Sequence, residues 1–302
     1  MGADRLYRAG PWGMLTVFTS AVYADIARLW YACVTRAFPL ETTIFEIFDD
    51  SGGTLDPAWF PRARIINQGV SRRDFQESYN DAIRRAETPY LAFIDSDVFW
   101  TSTDLWMEIE PILRRPSVAA VSCVSRRHRP SHGTFAVVLN VAAYRKVMDG
   151  MPEGFLPMSV RFGPDVPISE WYGFDTGDRI TGSVRDAGYE IELQHQDDGG
   201  RLICFESVTM YRRTAERVGA QPLGAMVRNS NWLWRGCICS MVLERLHNRL
   251  FPETRMHSHQ SSSSLELILG MGSRWPRGVR FTASCLRASV RVERFLRSES
   301  AG

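Results

Sequence analysis

At 302 residues the chain is long enough for one large domain with an appendage, or for two small domains. Its 44% hydrophobic and 23% charged residues are those of a globular protein, which excludes a disordered or fibrous chain. A formal net charge of +2 makes no general case for a nucleic-acid partner.

Residues 1–13 carry no signal-peptide hydrophobic core, and no apolar run approaches the ~18 residues of a membrane span. Leu6 stands where a myristoylation signal needs Ser or Thr. Residues 14–19 (MLTVFT) predict a buried strand, and 24–36 a helix with Ile26, Leu29, Trp30 and Val34 on one face. Residues 43–48 predict a second strand, ending in the turn Asp49-Asp50-Ser51-Gly52-Gly53. A short strand at 64–67, a helix at 74–86 stopped by Thr88-Pro89, and a strand at 90–94 follow, the last running into Asp95-Ser96-Asp97.

Further on, 117–124 and 134–140 read as strands, the second leading into a helix at 141–148. Residues 171–178 read as a loop-to-helix junction, with the helix running to Ala187, Gly188 ending it, and a strand at 189–193. Past Tyr211 the character changes. Residues 225–250 carry Trp, Arg and Leu at helical spacing, 257–264 are a serine-rich spacer, and 281–296 predict a basic amphipathic helix with Leu286, Val290 and Phe295 on one side. The aromatic residues Trp232, Trp234, Phe251 and Trp275 are either core or a surface for an acceptor.

This rhythm predicts an α/β fold, Rossmann-like, with a mostly parallel central sheet and helices on both faces, followed by a mainly helical C-terminal region. The expected division is 14–211 for the α/β domain and 212–302 for the extension. Six cysteines without zinc spacing fit free thiols in a reducing cytoplasm. Lys146 is the only lysine, so any mechanism that requires a catalytic lysine must use it.

Parallel sheets of this kind bind ligands at the carboxyl ends of their strands. Two such ends carry aspartate pairs here, Asp49-Asp50 and Asp95-Ser96-Asp97. Carboxylates one residue apart suit a hard cation, Mn2+ or Mg2+, shared with substrate phosphates.

The run from Asn67 through Tyr79-Asn80-Asp81-Ala82 to Asp95-Ser96-Asp97 resembles the core of the family 2 glycosyltransferases of the GT-A fold. Asp49-Asp50-Ser51 resembles that family's base-binding turn. The segment Trp171-Tyr172-Gly173-Phe174-Asp175-Thr176-Gly177-Asp178, followed by Arg185 to Tyr189, resembles its catalytic segment. The resemblance implies transfer of a sugar from a UDP- or GDP-linked donor, with inversion in most members. It implies Asp97 as principal metal ligand, Asp95 toward ribose and metal, and Asp50 with Asp49 toward the base. Thr19, Ser20 and Ala21 would line the nucleoside pocket, Asn80 and Ser96 belong with the donor site, and His132-Gly133 falls near the donor sugar. His195 is either a further metal ligand or an exposed histidine at a strand end.

The chain departs from the pattern in two places: Phe174 replaces the first carboxylate of an acidic pair, and the distance from Asp175 to Gly188 is longer than usual. That leaves Asp175 as general base, with Asp178 as the alternative if the alignment shifts. A cap made by Asp175 with Asp178 three residues on is the non-catalytic reading. The acceptor stays open between small molecule, glycan and lipid-linked substrate, and so does membrane contact by the basic helix. Two rivals remain. Loss of the carboxylate at Phe174 suits a glycosyltransferase-like binding module without activity. A phosphohydrolase of the haloacid-dehalogenase type shares the strand-D-x-D pattern but opens its fold with it, whereas three strands precede it here.

Overall fold

A computed structural model describes residues 14–67, 75–123, 136–150, 154–155, 177–193, 200–205, 207–218, 220–254 and 276–298. Strand β1 (Leu15–Ala21) leads into helix α1 (Ala24–Ala37), β2 (Thr43–Asp49), β3 (Ala63–Ile66) and helix α2 (Phe75–Arg85). Then come β4 (Tyr90–Ile94), β5 (Val98–Trp100), α3 (Leu105–Leu113), β6 (Val118–Ser122), β7 (Ala136–Asn140) and α4 (Val141–Gly150). The helix α5 (Asp178–Asp186) precedes β8 (Glu190–Leu193) and β9 (Leu202–Cys204). The C-terminal helices are α6 (Val208–Arg217), α7 (Ala220–Asn229), α8 (Asn231–Leu250) and α9 (Pro276–Arg297).

The main sheet has seven strands in the order β3-β2-β1-β4-β7-β6-β8, and β5 pairs with β9 in a small second sheet. All neighbours in the main sheet are parallel except those of β7, which runs antiparallel to both β4 and β6. The strands read as continuous apolar runs because both faces are covered. In β4, Tyr90, Ala92 and Ile94 face the α1 side, while Leu91 and Phe93 face α2 and α4.

The α1-side core runs from Leu15 and Trp30 to Ile238, Leu243 and Leu246 of α8 and Cys285 and Val292 of α9. The C-terminal helices therefore close one face of the sheet. Helix α9 turns Phe281, Ala288, Phe295 and Leu296 toward this core and leaves Leu286 and Val290 at 46% and 41% exposure. Phe295 does not share a face with Leu286 and Val290 as the sequence pattern suggested. The stripe that packs is the other one, because Cys285 and Val292 seat the helix. No described helix is long and apolar enough to cross a membrane.

Candidate functional site

The chain leaves β1 for β2 and β3 on one side, then returns to β4 on the other, so the sheet order reverses at β1. A crevice outside the carboxyl ends of the strands follows at such a point. In register, Ala21 lies beside Asp49, and Phe18 lies beside Phe93 of β4. The end of β1 is thus flanked by both aspartate pairs.

The two aspartates after β2 have different tasks. Asp49 builds the turn: its Oδ1 accepts from the Ser51 amide at 2.9 Å and from the Ser51 hydroxyl. Asn67, at φ +67 after β3, donates its side-chain amide to the Asp49 carbonyl at 3.1 Å. Asn takes this left-handed conformation more readily than most residues, so the end of β3 splints the end of β2. Asp50 is 1% exposed, and its amide donates to the Ala21 carbonyl at 3.0 Å. Its Oδ2 pairs with Nη2 of Arg213, from α6, at 3.1 Å. Beside it, Thr19 Oγ1 and Ser20 Oγ are buried hydroxyl oxygens without a hydrogen-bond partner among the described residues.

After β4 the chain turns through Asp95-Ser96-Asp97, where the Val98 amide donates to the Asp95 carbonyl at 2.9 Å. Ser96 is buried, and both aspartates are half-buried. The Tyr79 hydroxyl of α2 donates to Asp95 Oδ1 and orients that carboxylate. The Phe205 amide donates to the Asp97 carbonyl at 2.9 Å, tying the turn to the β5–β9 pair.

Asn80 has a task in the fold. Its amide brackets the Phe155 backbone, accepting from the amide at 2.8 Å and donating to the carbonyl at 2.9 Å. The preceding Gly154 has φ +58, and a Cβ there would stand 2.3 Å from Asn80 Oδ1. Only glycine permits this clamp.

Helix α6 is anchored by the arginine that precedes Arg213. Arg212 makes a two-pronged ion pair with Asp25 of α1, Nη1 to Oδ1 at 2.7 Å and Nη2 to Oδ2 at 2.8 Å. It also donates to Ser240 Oγ of α8 at 2.8 Å and lies 5.0 Å from the Tyr23 ring. Burial alone would raise the Asp25 carboxyl, but the charge and hydrogen bonds of Arg212 outweigh it and hold the group below the usual carboxylate range. A close crossing with α8 completes the seating, since a Cβ at Gly236 would stand 2.3 Å from the Ser207 carbonyl. Arg212 thus fixes the helix from which Arg213 reaches Asp50.

Arg213 is the contributor that sequence reasoning missed, while Tyr79 and Ser51 lay within the motifs without an assigned role. The Arg212-Arg213 pair just past Tyr211 was the only local signal. Of the other expected residues, Asp175, His132, Gly133 and His195 lie outside the described residues. Asp178 opens α5, whose N-cap position is Gly177; the Gly177 carbonyl accepts from the Thr181 amide at 2.9 Å and hydroxyl at 2.6 Å. The cap thus falls two residues past Asp175. Among the described residues no group of three or more His, Cys, Asp or Glu side chains is set to hold a metal.

No curated protein matches the chain. Among solved structures it is similar to a mannosyltransferase, PcManGT from Pyrobaculum calidifontis in complex with GDP-Man and Mn2+, at 14% identity and TM-score 0.45, covering 95% of this chain and 88% of that one. It is similar to residues 1–349 of TarS from S. aureus at 10% identity and TM-score 0.43, covering 93% and 89%. A third is the glycosyltransferase GlyE of Streptococcus pneumoniae TIGR4, at 12% identity and TM-score 0.41, covering 68% of this chain and 49% of that one. The model of the family described as Glycosyl transferase family 2 matches residues 49–219, more than half of the chain. From the turn after β2 to the end of α6, then, the matched segment carries both aspartate pairs and Arg213, and the chain belongs to glycosyl transferase family 2.

Proposed function

We propose that this glycosyltransferase takes a sugar from a UDP- or GDP-linked donor and passes it, with inversion, to an acceptor hydroxyl with the help of a divalent cation. The observation that carries the reading is the convergence of Thr19, Ser20, Asp50, Asp95 and Asp97 where the sheet order reverses.

Asp50 accepts from an N–H of the base, and Arg213 holds its other oxygen so that the carboxylate keeps one orientation. A ligand completes the buried hydroxyls of Thr19 and Ser20, which otherwise cost about 1–3 kcal/mol each. Asp95, oriented by Tyr79, faces the ribose and shares the metal with Asp97. Two hard carboxylates fit Mg2+ or Mn2+, which keep sites for diphosphate oxygens and water. When bound, the ion supplies neutralisation of the charge on the departing diphosphate. Asp175 takes the acceptor's proton as its oxygen bonds to the anomeric carbon and the bond from that carbon to the diphosphate breaks. Residues 14–211 serve as the donor-binding domain, and 212–302 serve the acceptor side while lending Arg213 to the donor. Free thiols throughout the described residues suit a cytoplasmic setting.

The test is a melting-temperature screen of the full chain with UDP, GDP, CDP and ADP, each with and without Mn2+. Ligands that bind only the folded state raise its apparent stability, so UDP or GDP should shift the transition, and more so with Mn2+. A donor-hydrolysis assay then separates an enzyme from a binding module. No shift with any nucleotide would remove the donor reading, and nucleotide binding without hydrolysis or transfer would favour the module.

A further inference from the structure

We propose that the outward face of α9 is a docking surface for a membrane whose headgroups are anionic. The inward face is already taken, by Phe281, Cys285, Ala288, Val292, Phe295 and Leu296 against the core. The outward face combines two features.

Arg280, Arg287 and Arg294 are all exposed and repeat every seven residues, which aligns them along one side at about 10 Å intervals. None of the three has an acidic partner among the described residues. The one acid within the helix, Glu293, is held by Arg249 at 2.7 Å and Arg297 at 3.1 Å, and is only 15% exposed at its side chain. It therefore leaves the arginine row uncompensated. This contrasts with a whole-chain charge of only +2.

Next to that row, one turn apart, lie Leu286 and Val290 at 46% and 41% exposure. Apolar side chains bordered by long cationic ones form the arrangement that settles into a headgroup layer: the aliphatic tips enter the acyl boundary and the guanidinium groups pair with phosphates. Beside the first turns of α9 stands Trp232, 56% exposed. Arg235 connects them, 5.8 Å from the Trp232 ring and 5.0 Å from Phe281 of α9. Tryptophan favours the headgroup level of a bilayer. A nucleic-acid partner would use the arginines but leave Leu286 and Val290 against water, so the lipid surface uses the whole face.

The experiment is flotation of the full chain with vesicles of phosphatidylcholine alone and of phosphatidylcholine with phosphatidylglycerol, at about 0.1 M and about 1 M salt. The wild type should float with the anionic vesicles at low salt and be released at high salt. Combined Arg280→Gln, Arg287→Gln and Arg294→Gln should weaken partitioning about a hundredfold. Leu286→Ser with Val290→Ser should weaken it about tenfold, with unchanged melting temperature in both cases. Should the glutamine variant fail to fold, the corresponding Arg→Lys variant serves in its place and should retain binding. Equal flotation with the neutral vesicles, no flotation with the anionic ones, full binding by the triple glutamine variant, or tighter binding to duplex DNA than to anionic vesicles would each overturn the proposal. Nucleotide binding is read separately, so neither outcome depends on the donor site.

Discussion

At the residue scale, the paired aspartates divide their labour according to what holds them. Asp97 has its carbonyl tied to Phe205, so Asp97→Asn changes the charge without undoing the turn. Transfer should fall at least about a hundredfold, and the Mn2+-dependent part of nucleotide binding should vanish at constant melting temperature; calorimetric titration with and without Mn2+ reads this. Asp50 and Arg213 act as a unit, so Asp50→Ala and Arg213→Met should each weaken nucleotide binding about 10–100-fold. The double variant should lose little more than either single one, and a double-mutant cycle measures that coupling. For the base, Asp175→Asn should lower transfer about 10²–10⁴-fold while sparing donor binding, and Asp178→Asn should be milder. Reversal of that order in steady-state kinetics would move the role to Asp178. The aspartates were legible in the sequence because each pair ends an apolar strand. Arg213 was not, because its partner lies 163 residues away and nothing local marks the pairing.

At the element scale, the strands buried on both faces announced themselves, and β4 falls at 90–94, where its apolar run predicts it. The three-residue strands β5 and β9 had too little sequence to show a period, and they become strands only by pairing with each other. Helix α3 was hidden by Pro111, which sits in its last turn. The helical pattern at 225–250 divides into α7 and α8 because Ser230 caps the second, accepting from the Leu233 amide at 3.3 Å. Helix α6 was missed altogether, although two contacts seat it. Arg212→Met leaves the 2%-exposed Asp25 without its counter-charge and should cost about 3–5 kcal/mol. Gly236→Ala forces α8 away from the Ser207 carbonyl and should cost about 1–3 kcal/mol. Urea denaturation measures both. Because α6 carries Arg213, the Gly236→Ala protein should also bind nucleotide more weakly than its lost stability alone explains.

At the scale of the whole molecule, a buried histidine couples stability to pH. His247 is fully buried, its Nε2 has no partner among the described residues, and burial pushes its pKa below the usual value despite the opposing charge of Asp25. With the folded pKa depressed, the unfolded chain binds the extra proton first, so stability should be full above about pH 6.5 and fall as pH drops below it. His247→Leu should flatten that slope in melts between pH 7 and pH 5, whereas Asp25 contributes only at more acidic pH. The core around His247 has a consequence for the order of manufacture. Trp30, Ile26 and Leu29 of α1 share one core with Leu243 and Leu246 of α8 and Val292 of α9, all made after the sheet. A nascent chain that has completed the sheet still presents an open apolar face while the ~90 residues from β9 to Val292 emerge, about 4–18 s at ordinary synthesis rates. Transiently exposed apolar surface of this kind is prone to aggregation. Ending the chain after residue 219, where the family match stops, should therefore yield an aggregating fragment instead of a minimal transferase.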